Sequence, residues 1–420
     1  MAMSAAEETF ERSRSVGDAP LTPAYPSAIA RPGGAVPPSF KGILSLSDFE
    51  PRARRRLPRF LFGFISGGVE TNATRDANRR AFAAWGFRTH VLIGTTGRTQ
   101  QTPLFGHPFA APFGIPPMGG TALASFKADI ALARAAAAAN IPFVLSGASL
   151  VPLEEVIQAY PNAWFQAYVP GDLGRIGPLV ERLTRAGYGT LVVTADVQVS
   201  ANRENNIRNG WALPLRPSPR LAFDTLVRPR WVCGTVLKTL ARSGVPHFEN
   251  MEARRGAPVL SPTADRSFGP RDALSWEHIA WIRERWQGKL VVKGVLSAED
   301  VRIGRETGLD GVIVSNHGGR QLDASAASLS MLAEAKAEAG GMTVMLDGGI
   351  RRGTDVLKAF ALGADFVFVG RPFFYAIAIG GEAGVFHAIA LLSEEIDRDL
   401  AMLGCNDIAE LGPEWLVPMP

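Results

Sequence analysis

Residues 289–323, KLVVKGVLSAEDVRIGRETGLDGVIVSNHGGRQLD, decide the fold. Two short apolar runs, 289–293 and 311–315, flank a segment with helix signals at both ends. Ser297-Ala-Glu-Asp300 has the form of a capping box, and Gly308 supplies a residue able to close the helix in the left-handed region. Strand, helix and strand in so short a span make a βαβ unit, whose strands run parallel.

The same rhythm extends in both directions. Strands are expected at 111–116, 142–146, 163–168 and 190–195 upstream, and at 343–347 and 365–369 downstream. Helix patterns lie between them at Asp129–Ala139, Leu153–Ala159 and Gly177–Ala186. Eight strands, each followed by a helix, predict an α/β fold, a (β/α)8 TIM barrel. An open doubly wound sheet is the alternative. No GxGxxG follows the first strand, which counts against a dinucleotide-binding sheet.

One connection breaks the rhythm. Between Asp196 and Lys289 lie roughly ninety residues, rich in proline, where a turn and a helix need far fewer. They leave the C-terminal end of the fourth strand, the face on which barrel active sites sit. We expect a mobile lid over about 206–272, including Trp211, Trp231 and Phe248. Residues 1–44, dense in Ala, Pro, Ser and Gly, read as an irregular arm. A helical segment follows from Ser45 through Phe64. The expected division is arm 1–44, barrel 45–405 and C-terminal tail 406–420.

Composition narrows the function classes. The chain of 420 residues has 44 Lys and Arg against 40 Asp and Glu, a net charge of +4. No dense basic run is interleaved with aromatics, so nucleic acid is not an expected partner. Arg52, Arg54, Arg55 and Arg56 form one short basic stretch, read as a solvated helix face. Two cysteines, Cys233 and Cys405, with no metal-ligand spacing, argue against a disulfide framework or a bound metal. Met1–Val16 lacks the apolar core of a secretory signal, and no stretch reaches the roughly 20 apolar residues that span a bilayer. The expected location is cytoplasmic.

The chemistry gathers at strand ends. Ser315-Asn-His-Gly-Gly-Arg-Gln-Leu-Asp323 follows the sixth strand. His317 and Arg320, three residues apart, can converge on one small anion, the imidazole taking a proton while the guanidinium holds a carboxylate. Asp347-Gly-Gly-Ile-Arg351 ends the seventh strand and Gly370-Arg371 the eighth, where barrels commonly bind phosphate. Lys293 sits inside the apolar fifth strand and needs an anionic partner there. Thr194 and Asp196 end the fourth strand, Gln166 and Tyr168 the third, and Ser146 the second. A satisfied structural polar group explains any one of these; it explains six strands badly.

At these residues the sequence resembles the FMN-dependent 2-hydroxy acid oxidase and dehydrogenase family, which includes glycolate oxidase, lactate oxidase and monooxygenase, and mandelate dehydrogenase. The likeness covers about residues 45–400 and rests on SNHGGRQLD, LDGGIRRGTDVLKAFALGAD and VGRP. It implies FMN as cofactor and a homotetramer. It implies His317 as catalytic base, Asp196 as the carboxylate that orients it, and Tyr168 beside the substrate hydroxyl. Arg320 and Arg203 match the arginines that hold the substrate carboxylate. Pro117, Met118 and Gly119 match the turn at the flavin's reactive edge. Ser146, Gln166 and Thr194 match groups on the ring's pyrimidine side, and Lys293 the cation near it. Ser315, with His317 and Gly318, lies beside the cofactor. Asp347, Gly348, Gly349, Arg351, Gly370 and Arg371 match the ribityl and phosphate site.

There are departures. Phe64 stands where the family has a tyrosine that donates to the substrate carboxylate. Val197-Gln198 replaces the family's Thr-Pro, and the loop SANRENNIRNG that follows is atypical. Gly119 and Ala148 are small and suggest room in the pocket. The reading that follows is oxidation of an L-2-hydroxy acid to the 2-keto acid, with oxygen or another acceptor taking the electrons. The alternatives are oxidative tailoring of a larger alcohol, amine or peptide end, and a flavin-binding barrel without turnover.

Overall fold

The computed structural model describes residues 28–29, 36–211, 218–261 and 271–420. Most of the expected arm (1–27 and 30–35) and the lid segments 212–217 and 262–270 lie outside the described residues. The strands in chain order are β1 Trp85–Phe87, β2 Thr102–Leu104, β3 His107–Phe109, β4 Phe113–Gly114, β5 Val144–Ser146, β6 Trp164–Ala167, β7 Thr190–Thr194, β8 Lys289–Val295, β9 Gly311–Val314, β10 Thr343–Asp347, β11 Phe366–Phe368 and β12 Leu416–Pro418. β4 to β11 form one parallel sheet in the order β4-β11-β10-β9-β8-β7-β6-β5. A parallel bridge from Ile115 to Phe143 joins its two ends. The Ile115 N–H donates to Pro142 O at 2.9 Å and Val144 N–H to Ile115 O at 3.0 Å, so the sheet closes into the expected barrel. The open doubly wound alternative is thereby excluded.

Helices α1 Phe49–Arg56, α2 Arg59–Ser66 and α3 Ala73–Ala83 precede the barrel. The crossovers are α4 Ala128–Ala138, α5 Leu153–Ala159 and α6 Leu173–Ala186, then, after an insertion holding α7 Glu204–Asn209, α8 Pro219–Leu226 and α9 Lys238–Ser243, come α10 Trp276–Arg285, α11 Ala298–Glu306, α12 Leu332–Glu338, α13 Gly353–Ala361 and α14 Arg371–Leu403. Ser297 caps α11 as its sequence requires, accepting from the Asp300 N–H.

The two-residue period of a strand explains where polar groups end up. Val144, Trp164, Val192, Val291, Ile313 and Met345 fill the barrel interior with Phe366 and Phe368. Two residues further along the same face of each strand stand Ser146, Gln166, Thr194, Lys293, Ser315 and Asp347. One register step therefore converts an apolar layer into a polar one on six strands at the C-terminal mouth. The other end is plugged by the β2–β3 hairpin, whose Leu104 and Phe109 join the interior cluster. The opposite parity, including Leu145, Phe165, Leu191, Val292, Val312 and Leu346, packs outward against the helices.

The expected boundaries at 44 and 405 are too tight. Phe40 and Ile43 are buried, and Phe40 stacks on His387 of α14 at 5.4 Å. β12, inside the expected tail, pairs antiparallel with β1. Phe40 buries against α14 and β12 against β1, contacts that local composition did not signal. Among the described residues one helix, α14, is long and apolar enough to cross a bilayer, but it is mostly buried in the fold and broken at Gly381.

Candidate active site

Two short helices set the frame of the mouth. The C-terminal carbonyls of α2 have no intrahelical partner and attract cations. Arg320 Nη1 donates to Phe64 O at 2.7 Å and Gly67 O at 3.1 Å. Arg371 donates to Ile65 O at 3.2 Å and Gly67 O at 3.1 Å. One helix end thus positions both arginines. α7 packs on α2 with Asn205 and Asn209 against Gly67 and Gly63, where an added Cβ would lie 3.1 Å and 2.6 Å away. That contact brings Arg203, just before α7, beside Arg320, whose carbonyl accepts from its Nε at 2.9 Å.

The Ser315–Gly319 turn is strained by design of its surroundings. His317, Gly318 and Gly319 have φ of +58°, +64° and +72°. A non-glycine residue there costs on the order of 1 kcal/mol and clusters at functional sites. The Ser315 hydroxyl oxygen accepts from the His317 N–H at 3.0 Å and from Lys293 Nζ at 2.7 Å. The Gly319 requirement comes from protein: a Cβ would sit 2.4 Å from the Arg75 nitrogen at the start of α3. Gly349 behaves alike, 2.3 Å from Asn78 O.

His317 Nδ1 lies 2.9 Å from Asp196 Oδ1. Burial lowers the imidazole pKa below its ordinary value, Asp196 opposes that, and Lys293 and Arg203 add to it. Asp196 is held low: burial disfavours its charge, but His317 and Lys293 more than offset this. The pair is a neutral imidazole beside a carboxylate, with Nε2 left to accept a proton. Lys293 is buried, 3.0 Å from Asp347 Oδ2. Burial alone would discharge it; Asp347 and Asp196 hold it protonated instead.

These groups surround a cavity of about 550 Å³. Of the expected site residues, Ser146, Gln166, Asp196 and Ser315 stand behind its wall and the rest line it. Gly119 and Ala148 do not leave the space expected of them, because a Cβ on Gly119 would lie 2.8 Å from the Ala148 Cβ. The apolar wall is built by Leu123, Leu150, Trp211, Phe248 and Val259. Phe64 stacks on Trp211 at 4.2 Å, with the Arg320 guanidinium 5.0 Å from its ring.

Among the buried polar atoms at the mouth that have no protein partner are Gln166 Nε2, Thr194 Oγ1 and Asp347 Oδ1. They come from three different strands around Lys293, and such atoms need a partner. Nearby, Arg351 is pushed down to about 10 by burial, Arg79 and Arg371. Guanidinium groups that depress one another mark a site for an anion. Tyr375, one helical turn beyond Arg371, is pushed up to about 12 by burial, and its hydroxyl also lacks a partner. A donor set of this kind fits a flat hydrogen-bonding ring joined to a phosphate.

The described family, FMN-dependent dehydrogenase, matches residues 53–418. The chain belongs to that family, and its cofactor is FMN. It is 37% identical over 377 residues to (S)-mandelate dehydrogenase of Pseudomonas putida, covering 90% of this chain and 94% of that one. It is 37% identical over 382 residues to L-lactate dehydrogenase of Pseudomonas aeruginosa, covering 89% and 98%. A crystal structure described as the monotopic membrane protein (S)-mandelate dehydrogenase matches with a TM-score of 0.84 at 36% identity, over 90% of this chain and all of that one. A mandelate oxidase variant with 2-hydroxy-phenylacetamide matches at 0.73 and 33%, over 90% and 98%.

The sequence reading named none of several residues that stand at or behind this cavity. Arg79 and Asn78 come from α3, which precedes the barrel. Asn78 Nδ2 donates to Asn316 Oδ1 at 2.7 Å. Arg271 stands 5.3 Å from the Tyr168 ring and lines the cavity. Only Tyr375 had a signal, its i+4 spacing from Arg371 on a helix.

Proposed function

We propose that this enzyme oxidises an L-2-hydroxy acid with a bulky apolar or aromatic side chain to the 2-keto acid. The observation that carries the reading is the pairing of His317–Asp196 with Arg203 and Arg320 at one cavity. Burial depresses both guanidinium groups, and Arg203 and Arg371 depress Arg320 further; a substrate carboxylate would relieve both. In this reading the arginines anchor the carboxylate, and Tyr168 lies beside the hydroxyl. His317 Nε2 takes the proton, and Asp196, already ionised, stabilises the imidazolium that results. Bound FMN supplies a two-electron acceptor that oxygen or another acceptor regenerates.

FMN binding is assigned to this chain's residues as follows. Ser146, Gln166 and Thr194 would meet the pyrimidine side of the ring, and Pro117, Met118 and Gly119 its reactive edge. Lys293 would lie against the developing negative charge. Ser315, Gly318, Asp347, Gly348 and Gly349 would hold the ribityl chain, and Arg351, Gly370 and Arg371 the phosphate. The unpartnered atoms of Gln166, Thr194 and Asp347 support this placement. The insertion 206–272 serves as a lid, supported by Trp211, Phe248 and Val259 in the cavity wall. Family resemblance alone supports a homotetramer. Two free cysteines support the cytoplasmic side, where likeness to a monotopic membrane protein is also accommodated.

Anaerobic titration of the yellow protein tests the substrate class. Phenyl-substituted L-2-hydroxy acids should bleach the flavin at lower concentration than glycolate or lactate. Bleaching by none of them, with flavin bound, overturns the reading.

A further inference from the structure

We propose that Asp129 is a positioning residue for the flavin: its carboxylate ties the turn that meets the ring's reactive edge to the turn that follows β5. The inference rests on the placement of Pro117, Met118 and Gly119 at that edge. Their turn leaves the barrel where the sheet is least secured. β4 is Phe113–Gly114 alone, and it pairs with β11 through Phe113 to Val367 and Gly114 to Phe368. On its other side the barrel closes on β5 through the isolated bridge from Ile115 to Phe143. β6 to β10, by contrast, are each paired on both sides over three or more residues. Pro116 and Pro117, which come next, have no N–H with which to extend a ladder. Past them the Gly120 N–H donates across the seam to Ala148 O at 3.2 Å.

Side chains supply what the ladder lacks. Thr121 Oγ1 donates to Asp129 Oδ1 at 2.8 Å, and Ser149 Oγ donates to Asp129 Oδ2 at 2.9 Å. Thr121 closely follows Gly119, and Ser149 directly follows Ala148. All three are at most 1% exposed, so one carboxylate on α4 spans the seam out of reach of water. Ser149 is itself fixed, its N–H donating to Ser146 O at 2.9 Å and its Oγ accepting from the Val151 N–H at 3.1 Å. The bridge thus refers the ring's reactive edge to Ser146 on its pyrimidine side. Spacing matters here because the two turns touch: a Cβ on Gly119 would lie 2.8 Å from the Ala148 Cβ. Burial pushes the Asp129 carboxyl up to about 6, and both hydroxyls oppose it. A leucine would fill similar space without that cost, but it would direct no bond. What the acid adds is a fixed distance between two turns, and a misplacement of about 1 Å at reacting groups costs about a hundredfold in rate.

The test uses the full-length, FMN-loaded enzyme and two probes of the ring: sulfite, which adds reversibly at the flavin N5, and the equilibrium of flavin reduction against a redox dye. Asp129→Leu should shift both equilibrium constants by about tenfold or more while FMN affinity stays within about threefold, because the phosphate end is untouched. Should wild type not react with sulfite, the dye equilibrium decides. Asp129→Asn should stay within about threefold of wild type, since its amide can accept from Thr121 and donate to Ser149. Should Asp129→Leu fail to fold, Thr121→Val/Ser149→Ala removes the same two bonds and decides instead. Gly119→Ala, which drives the same turns apart, checks the placement. If it leaves both probes unchanged, the turn does not meet the ring, and the proposal falls together with that placement. If it responds, three results overturn the proposal alone: a leucine variant that matches wild type, an asparagine variant that shifts as far as leucine, or a shift that only tracks an equal loss of FMN affinity, the mark of a purely structural acid.

Discussion

The barrel mouth and the insertion that covers it meet at one cavity but are specified by different physics. At the mouth, strand parity places each side chain. Ser146, Gln166, Thr194, Lys293, Ser315 and Asp347 are each two residues beyond an interior apolar residue. In the insertion no repeat exists, and position comes from docking: Trp211 on Phe64, Trp231 on Leu123 O, Arg203 on the carbonyl of Arg320. A repeating backbone therefore carries the proton and charge chemistry, and a docked segment shapes what the cavity admits. Changes at the mouth should cost chemistry or cofactor, whereas changes at the insertion contact should redistribute substrates.

The largest effect is expected at His317. His317→Gln should retain FMN and lose about 10²–10⁴-fold in the rate of flavin reduction, the range of a general base. Stopped-flow absorbance under anaerobic conditions measures it. The pH profile sharpens the point. Burial lowers the His317 pKa from 6.5, and protonation removes the base. kcat/KM should therefore be flat at pH 7 and fall about tenfold per unit only below pH 6.5. A limb above pH 7, or near wild-type reduction in the variant, would separate the mouth from the chemistry.

Lys293→Met should come next. It leaves Asp347 and Asp196 near the barrel interior without the cation that both face. Removing one partner of a buried pair costs about 3–5 kcal/mol. Thermal unfolding with and without added FMN should show a lower Tm and weaker cofactor retention. Unchanged retention would mean that the charge at the mouth does not serve the cofactor.

This division also explains what was legible. The strand and helix rhythm, the polar strand ends and His317, Arg320 and Asp196 follow local rules, so sequence alone placed them. α3 was not legible as part of the site. Arg79 and Asn78 reach it only because Gly319 and Gly349 let α3 approach within van der Waals limits. A glycine pattern in a sequence does not say which element approaches it. Phe40 and β12 were assigned to an arm and a tail because their partners, α14 and β1, are distant in sequence.

The smallest effect tests the seam between the two regions. Phe64 belongs to α2, which is fixed to the mouth through Arg320, yet its ring stacks on Trp211 of the insertion. Phe64→Tyr adds one oxygen beyond that ring. If it can reach a bound carboxylate, the new donor contributes about 1.5–3 kcal/mol, or roughly ten- to a hundredfold in binding. The Trp211 contact opposes this, because a ring clamped at 4.2 Å has little freedom to turn. A hydroxyl buried against indole without a partner costs about 1–3 kcal/mol. The side chain of the substrate decides which contribution wins. Small acids leave the apolar wall open and let water or carboxylate meet the hydroxyl, so glycolate and lactate should bind more tightly. Phenyl-substituted acids fill that wall and should gain less or lose. Flavin titration of both proteins with the three acids reads the difference. An equal gain for every acid would show that Phe64 belongs to the mouth alone, and the seam would have to be drawn at Trp211.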